Sequence, residues 1–189
     1  MSDSPAATLA SIFGDRLKMV ALFGADSQTC AFVSSMTADD LDRCAAAFGR
    51  KPPAPLVMLV EELSRALDAF PLELNEIIAT RRLVAGADLL AALTVPAEDL
   101  RRACEAQARG HLLHLRQGYI EAAGDKKAVA RLVAASVAPF RSLVTNIARL
   151  DRSSPDELQR RLGLATEDFP AALGAAERLV AHVDQWTQQ

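Results

Sequence analysis

A repeat of apolar residues three or four positions apart constrains residues 100–150 more than any other part of the sequence. This spacing is typical of amphipathic helices, and it occurs twice, on either side of Gly124-Asp125. Gly124 can end the first helix in a left-handed conformation, and Asp125 can cap the second. We therefore predict two long helices that fold back on each other and bury their apolar stripes. The predicted stripes are Leu100, Cys104, Ala108, Leu112, Leu115, Tyr119 and Ala122 in the first helix, and Val129, Leu132, Val133, Ser136, Val137, Phe140, Leu143, Val144, Ile147 and Leu150 in the second.

The rest of the C-terminal half also has a helical pattern. Pro139 lies inside the second long helix, where it removes a backbone N–H donor, so we expect it to kink that helix or split it in two. Ser154 followed by Pro155 is typical of a helix start. The apolar spacing over residues 169–186 predicts a last amphipathic helix. Everything after Gly86 is therefore predicted to be helical.

Before Gly86, short apolar runs alternate with helical patterns. We predict strands over residues 18–24, 29–34, 56–60 and 70–78, the last because Leu72 and Leu74 alternate with polar neighbours. Asp88 is expected to cap a short helix that reaches Leu93. These patterns predict an α+β fold. An α/β domain over residues 1–86, with a small sheet and helices, would precede a helical bundle over residues 87–189.

Charge, apolar run length and cysteine content argue against a nucleic-acid-binding, membrane-spanning, disulfide-rich or zinc-binding protein. Twenty-one basic and 24 acidic residues give a net charge of −3, which provides no general attraction to nucleic acid or anionic lipid. No apolar run approaches the ~20 residues of a membrane span, and the N-terminus does not resemble a signal peptide. The three cysteines lack a Cys-x-x-Cys pair, so neither a disulfide framework nor a zinc site is indicated. We expect a cytoplasmic protein with reduced thiols and no membrane partner.

Two groups of residues resemble bacterial nucleotidyltransferase-like proteins, in which a minimal nucleotidyltransferase domain precedes a helical substrate domain. The first is an apolar strand that ends in Phe23-Gly24, followed by a small residue and Asp26-Ser27. The second is the ordered series of residues 68–77, 82–86, 100–101 and 105–119. Together the two groups make the resemblance extend over roughly residues 9–150.

The resemblance implies a site in which carboxylates on neighbouring strands bind two magnesium ions. It also implies a helix after the glycine, whose N-terminal amides hold the nucleotide phosphates. In this chain Ala25 replaces the family's serine, and no carboxylate occurs between Gln28 and Thr37. The turn after Gly24 is also too short for such a helix. We therefore expect no cofactor, and magnesium with a nucleotide only if rearranged carboxylates retain catalysis.

The resemblance also aligns Glu73 and Glu76 with the family's late acidic positions. Two carboxylates on one predicted strand do not complete a two-metal site. They could pair with Arg81 or Arg82, lie in solvent, or contact a ligand. Asp26 and Ser27 could likewise form a plain turn or contact a ligand.

Arg109 and His114 have the Arg-x-x-x-x-His spacing of small helical (HEPN) ribonuclease domains. Five residues of helix turn through about 500°, so the two side chains point about 140° apart and only a symmetric dimer would bring them together. His111 and His114 share a face and could bind a metal, but no third ligand is near in sequence. Both histidines could equally be ordinary members of a packed helix.

The sequence therefore predicts a catalytically inactive nucleotidyltransferase-like protein that binds a small ligand or a protein in the cleft between its domains. The alternatives are an active nucleotidyltransferase with rearranged carboxylates and a HEPN-like RNA-cleaving domain. No catalytic or metal-binding residue is assigned. Nucleic acid is not expected as a partner, because the aromatic residues that stack on bases are few, and a homodimer is left open. The candidate ligand-binding residues are Gly24, Asp26, Ser27, Glu73, Glu76, Arg109 and His114.

Overall fold

The computed structural model describes residues 4–49, 53–163 and 168–188, and the chain divides into two compact units. Unit 1 is Met1–Val95, a sheet with helices, and unit 2 is Pro96–Gln189, which is helical where described. This confirms the predicted α+β class. Unit 1 extends past the boundary predicted at Gly86, because Leu90 and Val95 belong to its core.

Four described strands form one mixed sheet in unit 1. They are β1 (Leu17–Phe23), β2 (Gln28–Val33), β3 (Leu56–Leu59) and β4 (Arg82–Gly86), in the order β3-β2-β1-β4. β1 is antiparallel to both of its neighbours, and β2 and β3 are parallel. The first three strands were predicted. β4 was not, because all five of its residues are exposed and show no alternation of apolar and polar side chains.

Helices cover both faces of this sheet. The described helices of unit 1 are α1 (Pro5–Phe13), α2 (Ala38–Phe48), α3 (Leu63–Ala69) and α4 (Pro71–Thr80). α1 and α2 pack on one face and α3 and α4 on the other, so unit 1 has two small cores. The first core is Leu9, Ile12, Phe13, Val20, Ala31 and Val33, and the second is Met19, Ala21, Cys30, Phe32, Leu63, Ala66, Leu74, Ile77 and Leu90.

The prediction of a strand over residues 70–78 was wrong, because this segment forms α4. Pro71 fits the first turn of a helix, where its missing N–H needs no partner. Leu74 and Ile77, three residues apart, reach the same core from one helical face. The alternation of Leu72 and Leu74 with polar residues fits both a strand and a helix. The helix is the structure that places Leu74 and Ile77 in the same core.

The helix predicted after Asp88 was also wrong, because residues 89–92 form turns. The Asp88 carboxylate accepts a hydrogen bond from the Leu90 amide at 3.1 Å and pairs with the Arg81 guanidinium at 2.9 Å. This ion pair lowers the pKa of Asp88 below its ordinary value, chiefly through the hydrogen bond from Arg81. Asp88 therefore links the end of α4 to the segment that follows β4.

Unit 2 contains α5 (Ala97–Glu121), α6 (Lys126–Leu150), α7 (Pro155–Leu162) and α8 (Phe169–Asp184). The predicted turn between α5 and α6 is confirmed. Gly124 has a φ of +86°, and the Asp125 carboxylate accepts hydrogen bonds from the amides of Lys127 and Ala128. The buried residues of α5 and α6 are Leu100, Cys104, Ala108, Leu112, Leu115, Val133, Phe140, Leu143, Val144, Asn146, Ile147 and Ala148.

Two features of these helices differ from the prediction. Pro139 was predicted to kink α6 or split it in two; the split does not occur, because α6 runs unbroken over 25 residues, and the kink stays a prediction. Tyr119 is exposed rather than buried, and its ring stacks on that of Phe169 with centroids 4.1 Å apart. By length and composition α6 is also apolar enough to cross a membrane, and 22% of its apolar window is buried within the protein.

Ion pairs fix the register of α8 against α5. Arg109 pairs with Asp184 at 2.6 Å, and Arg116 pairs with Glu177 at 3.0 Å. The partners are seven residues apart on each helix, which is two helical turns, and they run in opposite directions. α8 therefore lies antiparallel along α5.

Candidate functional site

The first candidate site is the turn after β1, at Gly24. Gly24 has a φ of +68°, and its amide donates a hydrogen bond of 2.9 Å to Thr80 Oγ1 at the end of α4. The Thr80 hydroxyl donates in turn to the carbonyl of Glu76 at 2.7 Å. We call Gly24, Glu76 and Thr80 the glycine corner. It joins α4 to a turn that lies 56 residues away in sequence.

The structure brings only one of the predicted carboxylates to Gly24. A Cβ atom placed on Gly24 would lie 3.5 Å from Glu76 Oε1, whereas Glu73 is exposed in the first turn of α4. Asp26 and Ser27 are exposed in the turn itself, where Ser27 has a φ of +52°. Neither glutamate pairs with Arg81, which binds Asp88 instead.

The glycine corner does not fit the nucleotide and magnesium ions that the resemblance implies. β2 begins at Gln28, so no helix follows Gly24 to present amides to a phosphate. The Gly24 amide donates to Thr80, and the carboxylate beside it is negative. Among the described residues no group of three or more histidine, cysteine, aspartate or glutamate side chains could hold a metal ion.

The second candidate site lies in unit 2, on the side of the α5–α6 hairpin where His111 and His114 are found. Two adjoining pockets of about 480 Å³ and about 290 Å³ share His111, His114 and Pro139, and together they form what we call the imidazole groove. Its other lining residues are Ala106, Gln107, Gly110 and Leu115 from α5, and Leu132, Ala135, Ser136 and Leu143 from α6.

Short side chains keep this groove open. A Cβ atom on Gly110 would meet nothing within 4 Å, and Ala106 and Ala135 extend little further. One helical turn beyond the groove the packing is different, because a Cβ atom on Gly118 would lie 2.7 Å from Leu132 Cδ1. The groove is therefore widest where α5 carries Ala106 and Gly110.

The two imidazoles of the groove have different surroundings. His111 is half-buried and lies against the Phe140 ring, with centroids 5.2 Å apart, whereas His114 is exposed. Burial, and to a smaller extent the neighbouring His114, lower the pKa of His111 below its ordinary value. At neutral pH the His111 imidazole is therefore uncharged. One of its ring nitrogens can donate a hydrogen bond and the other can accept one.

Arg109 does not line the imidazole groove. Its guanidinium pairs with Glu105 at 2.9 Å and with Asp184 at 2.6 Å, and these two carboxylates raise the pKa of Arg109. A ribonuclease of the HEPN type needs a free cation beside the imidazole. Within one chain, Arg109 is held by its own ion pairs on the side of α5 that faces α8.

Two polar clusters were missed from the sequence. Asp40 is 2% exposed and binds Arg16 through both oxygens, at 2.6 and 2.8 Å, and it also caps α2. Asp151 accepts from Trp186 Nε1 at 2.9 Å and lies 2.6 Å from His182 Nε2. Both clusters join segments of one unit and serve packing.

The cysteines are buried or partly buried and have no disulfide partner in the described residues. Burial raises the pKa of Cys30 to about 11 and that of Cys104 to about 12. Both thiols are therefore protonated and unreactive at neutral pH. For Cys104 this confirms its predicted place on the buried stripe of α5.

The described residues form a small mixed sheet with helices on both faces, and a helical unit follows it in sequence. Compared with known proteins, the sequence matches no family model and no curated protein. The relation to nucleotidyltransferases therefore rests on the residues quoted above and is a hypothesis about this chain.

Proposed function

We propose that this chain is a catalytically inactive nucleotidyltransferase-like protein that acts by binding a ligand or a protein partner. The observation that carries the proposal is the 2.9 Å hydrogen bond from the Gly24 amide to Thr80 Oγ1. The resemblance implies that amides after this glycine hold phosphate. Here the donor is used within the fold, and a phosphate beside Gly24 would face the Glu76 carboxylate. Two like charges about 4 Å apart repel by about 1 kcal/mol in water and about 4 kcal/mol near a protein surface.

The binding site that we propose is the imidazole groove. Its walls are mostly apolar, and its polar groups converge at His111, His114 and Ser136. A concave apolar surface with a few convergent polar groups is the usual form of a ligand site. Because His111 is neutral at pH 7, the groove suits an apolar body with one hydrogen-bonding group. It does not suit a highly charged nucleotide.

The loss of catalysis can be tested by pyrophosphate release. We expect the full-length protein to release no pyrophosphate from the four nucleoside triphosphates with magnesium and aminoglycoside or protein acceptors. Glu76→Gln and Glu73→Gln provide a matched pair, because only Glu76 lies beside Gly24. Magnesium-dependent release that disappears in Glu76→Gln and persists in Glu73→Gln would show that the corner is a working active site.

Binding in the groove can be tested with 8-anilinonaphthalene-1-sulfonate, a fluorophore with an apolar aromatic body and one sulfonate group. The chain has three histidines, of which His182 is held by Asp151 in a different part of unit 2. We expect the imidazole NMR signals of His111 and His114 to shift with the probe, while that of His182 stays in place. Saturable fluorescence without movement of the His111 or His114 signals would place the binding site elsewhere.

A matched pair of substitutions sharpens this test. Ala135 lines the groove, whereas its exposed neighbour Ala134 does not. We expect Ala135→Trp to fill the groove and weaken binding of the probe by about tenfold or more, a change of ~1.4 kcal/mol. Ala134→Trp adds the same side chain outside the groove and should leave the affinity unchanged. Equal affinities in both variants would contradict the proposed site.

A further inference from the structure

A second regular pattern runs along the outer side of α5, away from its buried stripe. Its residues recur at alternating spacings of three and four, which is the spacing of the contact positions in a coiled coil. Leu113 is 63% exposed and Ile120 is 76% exposed, which is unusual for such large apolar side chains. We call this set the outer stripe. Its members are Ala103, Ala106, Gly110, Leu113, Gln117 and Ile120.

No close packing contact within the described chain requires a glycine at position 110. A glycine inside a helix costs about 1 kcal/mol relative to alanine. At Gly118 the cost has a cause, because a Cβ atom there would collide with Leu132. At Gly110 a Cβ atom would meet nothing within 4 Å. Glycine is the residue that lets another backbone or side chain approach a helix closely, so Gly110 indicates an approach from outside the chain.

The outer stripe is complementary to itself when two copies of α5 are placed antiparallel. Residues equally far before and after Leu113 then meet, because every residue advances the helix by the same rise. Ile120, seven residues after Leu113, meets Ala106, seven residues before it. Gln117, four residues after Leu113, falls beside Gly110, which is three residues before it. Leu113 meets its own copy. Ile120 and Gln117 of one copy thus face the small residues Ala106 and Gly110 of the other, and the two Leu113 side chains meet on the axis.

We propose that the outer stripe is a homodimer interface, in which two copies pack α5 antiparallel about Leu113. Ile120 of each copy then occupies the wide part of the other copy's imidazole groove, over Ala106 and Gly110. This inference rests on the proposed binding function and names the partner as a second copy of the chain.

The charges at the ends of α5 support this arrangement. Glu98 is an exposed acidic residue in the first turn of α5, where Asp99 is already paired with Arg102, and Lys126 and Lys127 begin α6 just after the hairpin turn. In the antiparallel pair the first turn of one copy lies beside the hairpin turn of the other, so opposite charges meet at both ends. Arg109 would approach Arg116 of the second copy. Each arginine is already paired with carboxylates of its own chain, which lowers the repulsion.

The size of the contact predicts a weak dimer. The stripe from Ala103 to Ile120 is about 26 Å long at 1.5 Å per residue, and a helix is about 10 Å wide. Two such surfaces cover roughly 500 Å² in total, below the ~1,200 Å² that stable dimers usually bury. We therefore expect a reversible dimer with a dissociation constant on the order of micromolar or weaker.

The test is the mass of the full chain by sedimentation equilibrium, from about 1 µM to about 1 mM. We expect the wild type to approach the mass of two chains as the concentration rises. Gly110→Leu has room in the single chain, since nothing lies within 4 Å, but it fills the space for Ile120, so it should stay monomeric. Ala138→Leu, at an exposed position of α6, is the control and should dimerise like the wild type.

Cross-linking gives a second readout that does not depend on the folding of Gly110→Leu. Leu113 lies on the proposed two-fold axis, so Leu113→Cys should form a disulfide-linked dimer on mild oxidation. Leu41→Cys, which is similarly exposed in unit 1, should not. A wild type that is monomeric at all concentrations would overturn the inference, as would a dimer that Gly110→Leu leaves unchanged. If the wild type were monomeric and the NMR signals of His111 and His114 still shifted with the fluorescent probe, the groove would remain a ligand site without the dimer.

Discussion

The two units bury their apolar residues in different ways. In unit 1 the sheet is covered on both faces, and the corner that resembles an active site is closed by Thr80 and Glu76. In unit 2 the hairpin of α5 and α6 carries an open groove and an exposed apolar stripe on α5. The first group of residues that resembles an enzyme, at Gly24, therefore takes part in contacts within unit 1. The groove that we propose as the binding site lies in the helices of unit 2, and of the predicted candidates there it includes His114.

The largest expected effect comes from truncating one fully buried aromatic residue in each unit. Phe32→Ala and Phe140→Ala should each lower the free energy of unfolding by about 3–5 kcal/mol, because both rings are fully buried and would leave cavities. Urea denaturation with Arg141→Ala, the exposed neighbour of Phe140, as the control checks this. A shift no larger than that of Arg141→Ala at either position would mean that its unit is not packed as described.

Alanine substitutions at two glycines distinguish the stability cost of a left-handed backbone from the additional cost of a steric clash. Gly86 ends β4 with a φ of +80°, and Gly124 ends the α5–α6 turn with a φ of +86°. Alanine at Gly124 should cost about 1–2 kcal/mol from the left-handed backbone alone. Gly86→Ala should cost distinctly more, because its Cβ would lie 2.0 Å from the Lys18 carbonyl oxygen. Equal urea midpoints for the two variants would contradict the close approach of β4 to β1.

The ion pair of Arg16 and Asp40 should make unit 1 sensitive to acid. The hydrogen bonds from Arg16 and from the Thr37 amide hold the pKa of Asp40 well below its usual range. A lowered pKa contributes stability above the unfolded-state value of about 3.9, and this contribution is lost as the pH falls below it. Asp40→Asn should therefore flatten the fall in stability between about pH 5 and pH 2. Asp39→Asn, in the same turn but exposed, should leave that fall unchanged.

The smallest effect is expected from His111 in unit 2. Burial lowers the pKa of His111, so the unfolded chain takes up a proton at a higher pH than the folded one. Stability should be unaffected above about pH 7 and should decrease as the pH falls through about 6.5, the ordinary value for histidine. Denaturation between pH 8 and pH 5 (roughly the range over which histidine titrates) would show it. His111→Phe should remove part of this decrease, and His114→Phe should remove less of it, because His114 is the smaller cause of the lowered pKa of His111.

Local signals made much of unit 2 predictable. Gly124, Asp125 and Ser154 end or start helices through contacts with residues two to four positions away, so the sequence contains the whole interaction. The apolar spacing of α5 and α6 located Leu115 and Phe140 in the core correctly. The same spacing misplaced Tyr119, because its position depends on Phe169 in α8.

Interactions between distant segments could not be read in this way. Residues 70–78 fit a strand and a helix equally well, and only the packing of Leu74 and Ile77 against the sheet decides between them. The two candidate functional sites likewise depend on contacts between segments that are distant in sequence. The bond between Gly24 and Thr80 spans 56 residues, and the imidazole groove exists because α6 passes beside short side chains of α5. Of the predicted candidates, His114 lines the groove and Arg109 does not.

The order of strands in unit 1 has a consequence for the growing polypeptide. β1 pairs with β2 across a short turn, but its other edge is covered by β4, whose first residue is Arg82. Until that segment has been synthesised and has folded back, the apolar strand of Met19, Val20 and Ala21 has an unpaired edge. Such edges pair readily with other chains and favour aggregation. We therefore expect fragments that end before β4 to aggregate, and a chaperone that binds extended apolar segments to act on this protein early in synthesis.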